Sequence, residues 1–207
     1  ALYFTFQDEL VFTAYLIGLA LIFDFMDGAV ARLLNISNPI GKELDSLADM
    51  VSFGLVPGAV VFNLLKVGQL SQYSFIALLI PIFSAYRLAR FNVDKNQNEN
   101  FIGLPTPANC LVFTSIPLIT TFNSESTIAY LFEIPVILLI ITTLLSFALV
   151  SRIKLFSLKF KNLKFQDNKI QFFFIMMSII LLTCLKFSAI PLVILLYLLM
   201  SLLNRIN

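Results

Sequence analysis

Histidine does not occur anywhere in the 207-residue chain. Its absence excludes Ser-His-Asp and Cys-His nucleophilic catalysis and any histidine-ligated metal, so a general base has to be a carboxylate or, less conventionally, a Lys, Tyr or Cys. Cysteine is almost as scarce. Cys110 and Cys184 lie in separate apolar stretches without metal-like spacing, which reads as two packing residues rather than a disulfide or a ligand pair. Charge is sparse too, at 13% of residues against 59% hydrophobic, with a mean hydropathy of +0.92. A soluble domain of this size has no means of hiding so much apolar surface, whereas a bilayer removes the difficulty. No signal-peptide pattern opens the chain, which starts at Ala1 rather than at methionine.

What is present is a series of apolar stretches long enough, or nearly so, for the roughly 20 residues a transmembrane helix requires. The expected fold is an all-α, polytopic transmembrane bundle forming one integral membrane domain over 1–207. Seven spans are read at 10–32, 43–65, 72–92, 107–122, 132–151, 170–187 and 189–204, the last two separated by a turn near Lys186 to Pro191. Pro81, Pro117 and Pro135 fall in or near spans, which membrane helices tolerate. Of the 14 basic residues this topology puts 12 on one side, including Arg32, Lys42, Arg87, Arg90 and Arg152, and leaves only Lys66 and Lys186 on the other. The positive-inside rule makes the crowded side cytoplasmic. A multi-pass protein of the inner (cytoplasmic) membrane is expected. The basic segment 152–169 reads as a topology-setting cytoplasmic loop. Its interleaved Phe and Leu also suit a segment lying on an anionic membrane surface, where each basic residue contributes about 1 kcal/mol. No nucleic-acid partner is expected.

The chemistry-bearing residues fall in two adjacent spans. Asp24, Asp27, Gly28 and Ala31 share one helical face, followed at once by Arg32, and Gly41, Asp45 and Asp49 recur every four residues along a stripe of the next helix. Asn38-Pro39 between them is a turn signal that lets the two helices run antiparallel. Four carboxylates then converge near the cytoplasmic end. An aspartate at a helix centre costs about 2.5–3.5 kcal/mol on insertion scales, and clustered like charges repel. Bound cations, shared protons or a nearby Arg make such a cluster tolerable. Oxygen donors without His or Cys suit Mg²⁺, Mn²⁺ or Ca²⁺ rather than Zn²⁺, and two such ions are able to hold a pyrophosphate. Gly28, Ala31 and Gly41 leave space for phosphates to approach the backbone, and Arg32 offers a planar fork. Each residue alone has an ordinary explanation, as a turn, a solvated carboxylate or a cytoplasmic anchor. Eight positions at fixed spacing do not.

The pattern Asp-x2-Asp-Gly-x2-Ala-Arg-x8-Gly-x3-Asp-x3-Asp, from Asp24 to Asp49, resembles the signature of the CDP-alcohol phosphatidyltransferases. The resemblance implies a six-helix core, commonly homodimeric, with two divalent ions, Mg²⁺ or Mn²⁺, at the cytoplasmic end and CDP against the signature helices. It implies Asp24, Asp27 and Asp45 as metal ligands, and Asp49 as general base and further ligand. Gly28, Ala31, Arg32 and Gly41 become nucleotide and pyrophosphate contacts. Ser52-Phe53-Gly54-Leu-Val-Pro57, Tyr86-Arg87-Leu-Ala-Arg90-Phe91-Asn92 and Gly103-Leu-Pro105-Thr106-Pro107 resemble the branch of the family that uses CDP-diacylglycerol and L-serine. Phosphatidylglycerophosphate synthases usually carry Asp-Lys after the last metal-site segment, and here Met50 follows Asp49. The family core maps to about 1–151, leaving two further spans in 170–204. Family members carry a complete helix ahead of the first Asp pair, so Ala1–Gln7 reads as the outer end of a first helix that this sequence lacks.

Arg87 and Arg90, three residues apart at the cytoplasmic end of their span, are candidates to grip the acceptor carboxylate and a phosphate, or else serve as anchors paired with Asp94 or headgroups. Glycerol 3-phosphate, inositol or choline as the acceptor is the nearest alternative. A cation transporter is a more distant one, since transporter sites lie near the bilayer midplane. A lipid-binding scaffold accounts for the basic loop but not for the eight-position motif.

Overall fold

The computed structural model describes residues 1–34, 38–67, 70–93, 101–156, 166 and 168–204 and, within these, not the side chains of Arg32, Phe101 and Asn204. The described chain is almost wholly helical: α1 (Leu2–Phe6), α2 (Leu10–Leu33), α3 (Pro39–Asp49), a π-helical segment (Met50–Leu55), α4 (Val56–Lys66), a 3₁₀ segment (Ser71–Leu78), α5 (Leu79–Val93), α6 (Thr106–Phe122), α7 (Thr127–Glu133), α8 (Pro135–Val150), α9 (Lys169–Leu185) and α10 (Ala189–Asn204). The only strands among the described residues are β1 (Phe101–Ile102) and β2 (Lys154–Leu155), an antiparallel pair two residues long. An all-α, multi-pass membrane fold is what this architecture amounts to.

Four helical runs are long and apolar enough to cross a bilayer, and α7 with α8 makes a fifth if the bent pair is one span. The spans expected at 10–32 and 72–92 match helical runs ending at Leu33 and Val93. The span expected at 43–65 starts earlier, at Pro39, because the Asn38 side chain accepts from the Ile40 N–H at 3.0 Å and Pro39 occupies the first helical turn. The span expected at 132–151 is broken: α7 and α8 meet at 90° at Pro135, which has no N–H to continue the α7 ladder. Thr106–Phe122 falls just short of a full span. The helical run Lys169–Leu203 is 35 residues long, about 50 Å if straight at 1.5 Å per residue, well beyond a bilayer core. It is instead a hairpin. Lys186 takes φ 51° at the break, and the Phe174 and Tyr197 rings, on opposite arms, lie 5.7 Å apart.

Successive long elements alternate in direction, so two ends can be told apart. At one end Lys66 pairs with Asp8 at 3.0 Å and Ser126 Oγ meets Ser188 Oγ at 3.1 Å. At the other, Asn92 bonds to α3, Leu104 N–H donates to Ala148 O at 3.0 Å, and Tyr197 donates to Phe156 O. This second end holds Lys42, Arg87, Arg90, Arg152, Lys154 and Lys169. Lys95, Lys159, Lys161, Lys164, Arg205 and most of the basic segment 152–169 lie outside the described residues.

Close backbone approach fixes the helices around the site. A Cβ on Gly54 would sit 3.0 Å from Ser84 Cβ, and one on Gly58 2.8 Å from Pro81 Cδ, so both glycines let α5 pack against the π-helical segment and α4. Gly103 has a structural reason of its own. Its φ is +77°, a Cβ there would lie 2.3 Å from Leu149 O, and its N–H donates to Ile153 O at 2.9 Å. Gly103→Ala is expected to cost about 3 kcal/mol, since strained backbone and overpacking each contribute about 1–3 kcal/mol. A fall in the thermal midpoint of the detergent-solubilised protein is the check.

Candidate active site

The last third of α2 and all of α3 line a cavity of about 1100 Å³, walled by Asp24, Asp27, Gly28, Ala31, Gly41, Asp45 and Asp49. No residue of α3 is buried. Its Gly41/Asp45/Asp49 stripe is available because the α3 surface facing the cavity is covered by no other described element. One carboxylate oxygen from each of Asp24, Asp27 and Asp45 lies within 4.8 Å of the other two. Asp49 stands outside that trio but lines the same cavity and lies within hydrogen-bonding reach of Asp24. The four aspartates of the motif thus divide into three that converge and one set beside them.

The two motif glycines face open space. A Cβ on Gly28 would meet nothing within 4 Å, and one on Gly41 only Asn38 Cβ at 3.7 Å. Unlike Gly54, Gly58 and Gly103, they are not required by contacts among the described residues. Ala31 lines the same wall. The Arg32 side chain lies outside the described residues.

Three residues not singled out as site residues in the sequence brace this arrangement. Asn92, at the end of α5, donates from Nδ2 to Glu43 Oε2 at 3.1 Å and to Ser46 Oγ at 3.0 Å, and Ser46 Oγ lies 3.3 Å from Asn92 Oδ1. Glu43 and Ser46 lie off the Asp45/Asp49 stripe, so this network ties the back of α3 to α5 and sets its rotation. Directly after Asp49 the chain widens into the π-helical segment, a feature often found beside functional sites. There Ser52 and Phe53 continue the cavity wall.

Arg87 and Arg90 do not line the aspartate cavity. With Tyr86, Phe91, Ile102 and Ser151 they enclose a separate space of about 10 Å³, room for about one water-sized group. Arg87 nevertheless lies within electrostatic range of Asp49 on one side and of Tyr197 on the other. Its Nε is buried without a hydrogen-bond partner among the described residues. An orphaned guanidinium donor costs about 1–3 kcal/mol or more.

The family model for CDP-alcohol phosphatidyltransferase matches residues 1–148. The chain belongs to the CDP-alcohol phosphatidyltransferase family. Among curated relatives, the CDP-diacylglycerol–serine O-phosphatidyltransferase of Bacillus subtilis is 36% identical over 137 residues, covering 63% of this chain and 67% of the relative. The protein of the same name from Methanocaldococcus jannaschii is 38% identical over 117 residues, covering 56% of each chain. That from Helicobacter pylori strain J99 is 36% identical over 115 residues, covering 52% of this chain and 46% of the relative. The chain therefore spans about half the length of the curated relatives it matches.

CDP-alcohol phosphatidyltransferases use divalent metal, and the residues present fit one. All donors in the trio are carboxylate oxygens, as hard cations prefer. Among the described residues no Lys or Arg forms an ion pair with any of the four aspartates; the one ion pair there is Lys66–Asp8.

Proposed function

We propose that this chain transfers the phosphatidyl group of CDP-diacylglycerol to L-serine, giving phosphatidylserine and CMP. The single observation that carries the reading is the convergence of Asp24, Asp27 and Asp45 beside Asp49 in one large cavity. The substrates come from the names of the relatives.

Asp24, Asp27 and Asp45 would hold the metal, Mg²⁺ or Mn²⁺ and two ions in this reading, with Asp49 as a further ligand where needed. When bound, the metal neutralises pyrophosphate charge and stabilises the oxygens that become negative. Gly28, Ala31 and Gly41 let the nucleotide phosphates approach the helix backbones, and Arg32 supplies a charged fork to them. The serine hydroxyl oxygen forms a bond to the phosphorus bearing diacylglycerol. The bond from that phosphorus to the CMP oxygen breaks, and Asp49 takes the hydroxyl proton. Asp49 is suited to this because it stands beside the converging trio rather than within it.

Arg87 binds the serine carboxylate and Arg90 assists with carboxylate or phosphate. The unpartnered Arg87 Nε supports this assignment. Arg87→Lys removes the bidentate fork while keeping the charge. With charge-assisted hydrogen bonds worth about 1.5–3 kcal/mol, the serine KM should rise about tenfold or more while the KM for CDP-diacylglycerol stays put. An unchanged serine KM removes the assignment.

In this reading the protein works as a homodimer in the inner membrane with its site on the cytoplasmic face; the lopsided distribution of basic residues supports the orientation alone. The test of the whole reading is CMP release from CDP-diacylglycerol by the purified protein with Mn²⁺ or Mg²⁺, offered serine, glycerol 3-phosphate, inositol and choline in parallel. Release that requires serine upholds it, and release that requires another alcohol replaces serine in it.

A further inference from the structure

The α9–α10 hairpin lies beyond the residues shared with the family, yet it is bonded to the site end of the molecule. Tyr197 Oη donates to Phe156 O at 3.0 Å, and Phe156 N–H donates to Ser201 Oγ at 3.4 Å. Both backbone polar groups of one residue are therefore held by α10. The Phe156 ring sits edge-on to Tyr197 at 4.9 Å and to Phe174 at 5.8 Å, and all three rings are buried. The grip is both polar and apolar.

What Phe156 anchors is the far wall of the Arg87 cavity. The two residues before it, Lys154 and Leu155, form β2, which pairs with Phe101 and Ile102 of β1. Ile102 lines the cavity directly, and so do Leu149 and Val150 at the end of α8 and Ser151 in the connection to β2. Gly103 N–H to Ile153 O and Leu104 N–H to Ala148 O continue the same set of bonds. Ile102 and the C-terminal end of α8 are thus tied to a strand pair pinned by α10. The Tyr197 phenol also lies within electrostatic range of the Arg87 guanidinium.

We infer that the C-terminal hairpin is a clamp that sets the acceptor subsite, with Tyr197 as its positioning residue and Ser201 as the second point of attachment. The inference rests on the reading of Arg87 as the group that receives the acceptor carboxylate. A cavity of about 10 Å³ has no slack. A wall released by a fraction of an ångström loosens the pairing of an acceptor with Arg87, while none of the residues lining the aspartate cavity belongs to that wall.

Tyr197→Phe tests it by deleting one hydroxyl and keeping the ring cluster. One lost hydrogen bond of about 0.5–1.5 kcal/mol corresponds to a two- to twelvefold effect. On the full chain in detergent–lipid micelles, the serine KM should rise about fivefold, with kcat and the KM for CDP-diacylglycerol within twofold of wild type. Ser201→Ala should act in the same direction, and Ser201→Thr, which keeps the hydroxyl, should restore the wild-type serine KM. A general loosening of the fold would instead move both KM values and kcat together. An unchanged serine KM in Tyr197→Phe and Ser201→Ala, or a parallel rise for both substrates, overturns the clamp. If the wild-type protein uses another alcohol, the functional reading fails by itself, and the clamp is then judged on the KM of that alcohol.

Discussion

Asp45→Asn should lower serine-dependent CMP release by about three orders of magnitude at millimolar Mn²⁺ and raise the Mn²⁺ concentration needed for half-maximal rate. Three carboxylate oxygen donors lie within 4.8 Å of one another and belong to Asp24, Asp27 and Asp45. An amide at position 45 keeps the shape but replaces an anionic donor by a neutral one. A metal clamp is worth several kcal/mol of transition-state stabilisation, and each 1.36 kcal/mol is about tenfold in rate. The same change has a signature without turnover. In the wild-type protein Mn²⁺ should raise the thermal midpoint, because a ligand at about 100 times its Kd stabilises by roughly 2.7 kcal/mol. In Asp45→Asn that gain should shrink. Without metal the variant should be at least as stable as wild type, since one of several repelling charges is gone. EDTA should abolish wild-type turnover and Mn²⁺ restore it. Undiminished turnover in the variant, with the same Mn²⁺ dependence, would sink the metal-site assignment.

The sequence was informative where the signal was local. The Asp24/Asp27 and Asp45/Asp49 stripes follow from helical periodicity, the Asn38-Pro39 turn from its capping chemistry, and the hairpin near Lys186 from the polar break between two apolar runs. Sequence spacing did not carry the non-local pairings. Asn92 reaches Glu43 and Ser46 across 49 and 46 residues, and Tyr197 reaches Phe156 across 41. Such bonds leave no periodicity. The π-helical segment Met50–Leu55 likewise meets its partner across the fold, Gly54 against Ser84. Arg87 and Arg90 were expected beside a substrate of the aspartate site, and they line a smaller cavity walled by residues from three stretches of chain. Only the folded arrangement brings Arg87 into electrostatic range of both Asp49 and Tyr197.

Asp49→Asn should behave differently from Asp45→Asn, and the difference decides what Asp49 does. It lines the cavity and faces Asp24, but is not among the three carboxylates whose oxygens converge. If it takes the proton from the acceptor hydroxyl, an amide in its place leaves the cavity's shape and the trio intact while removing the only change in protonation the reaction requires. General-base catalysis is worth about 10²–10⁴-fold. A fall in kcat of that size is expected, with the half-saturating Mn²⁺ concentration and the KM for CDP-diacylglycerol within about threefold of wild type. Asp49→Glu keeps a carboxylate one methylene further out and should recover part of the loss, as a displaced base does. A Mn²⁺ requirement that rises as steeply in Asp49→Asn as in Asp45→Asn would make Asp49 a ligand and leave the base to be sought elsewhere. Near-normal kcat would remove it from the chemistry altogether. The position of Arg87 bears on the result: its guanidinium lies within electrostatic range of Asp49, so a substitution at either position alters the field in which the proton moves. Replacing Arg87 together with Asp49 should then cost less than the two separate losses multiplied, because residues that act on the same proton transfer are not independent.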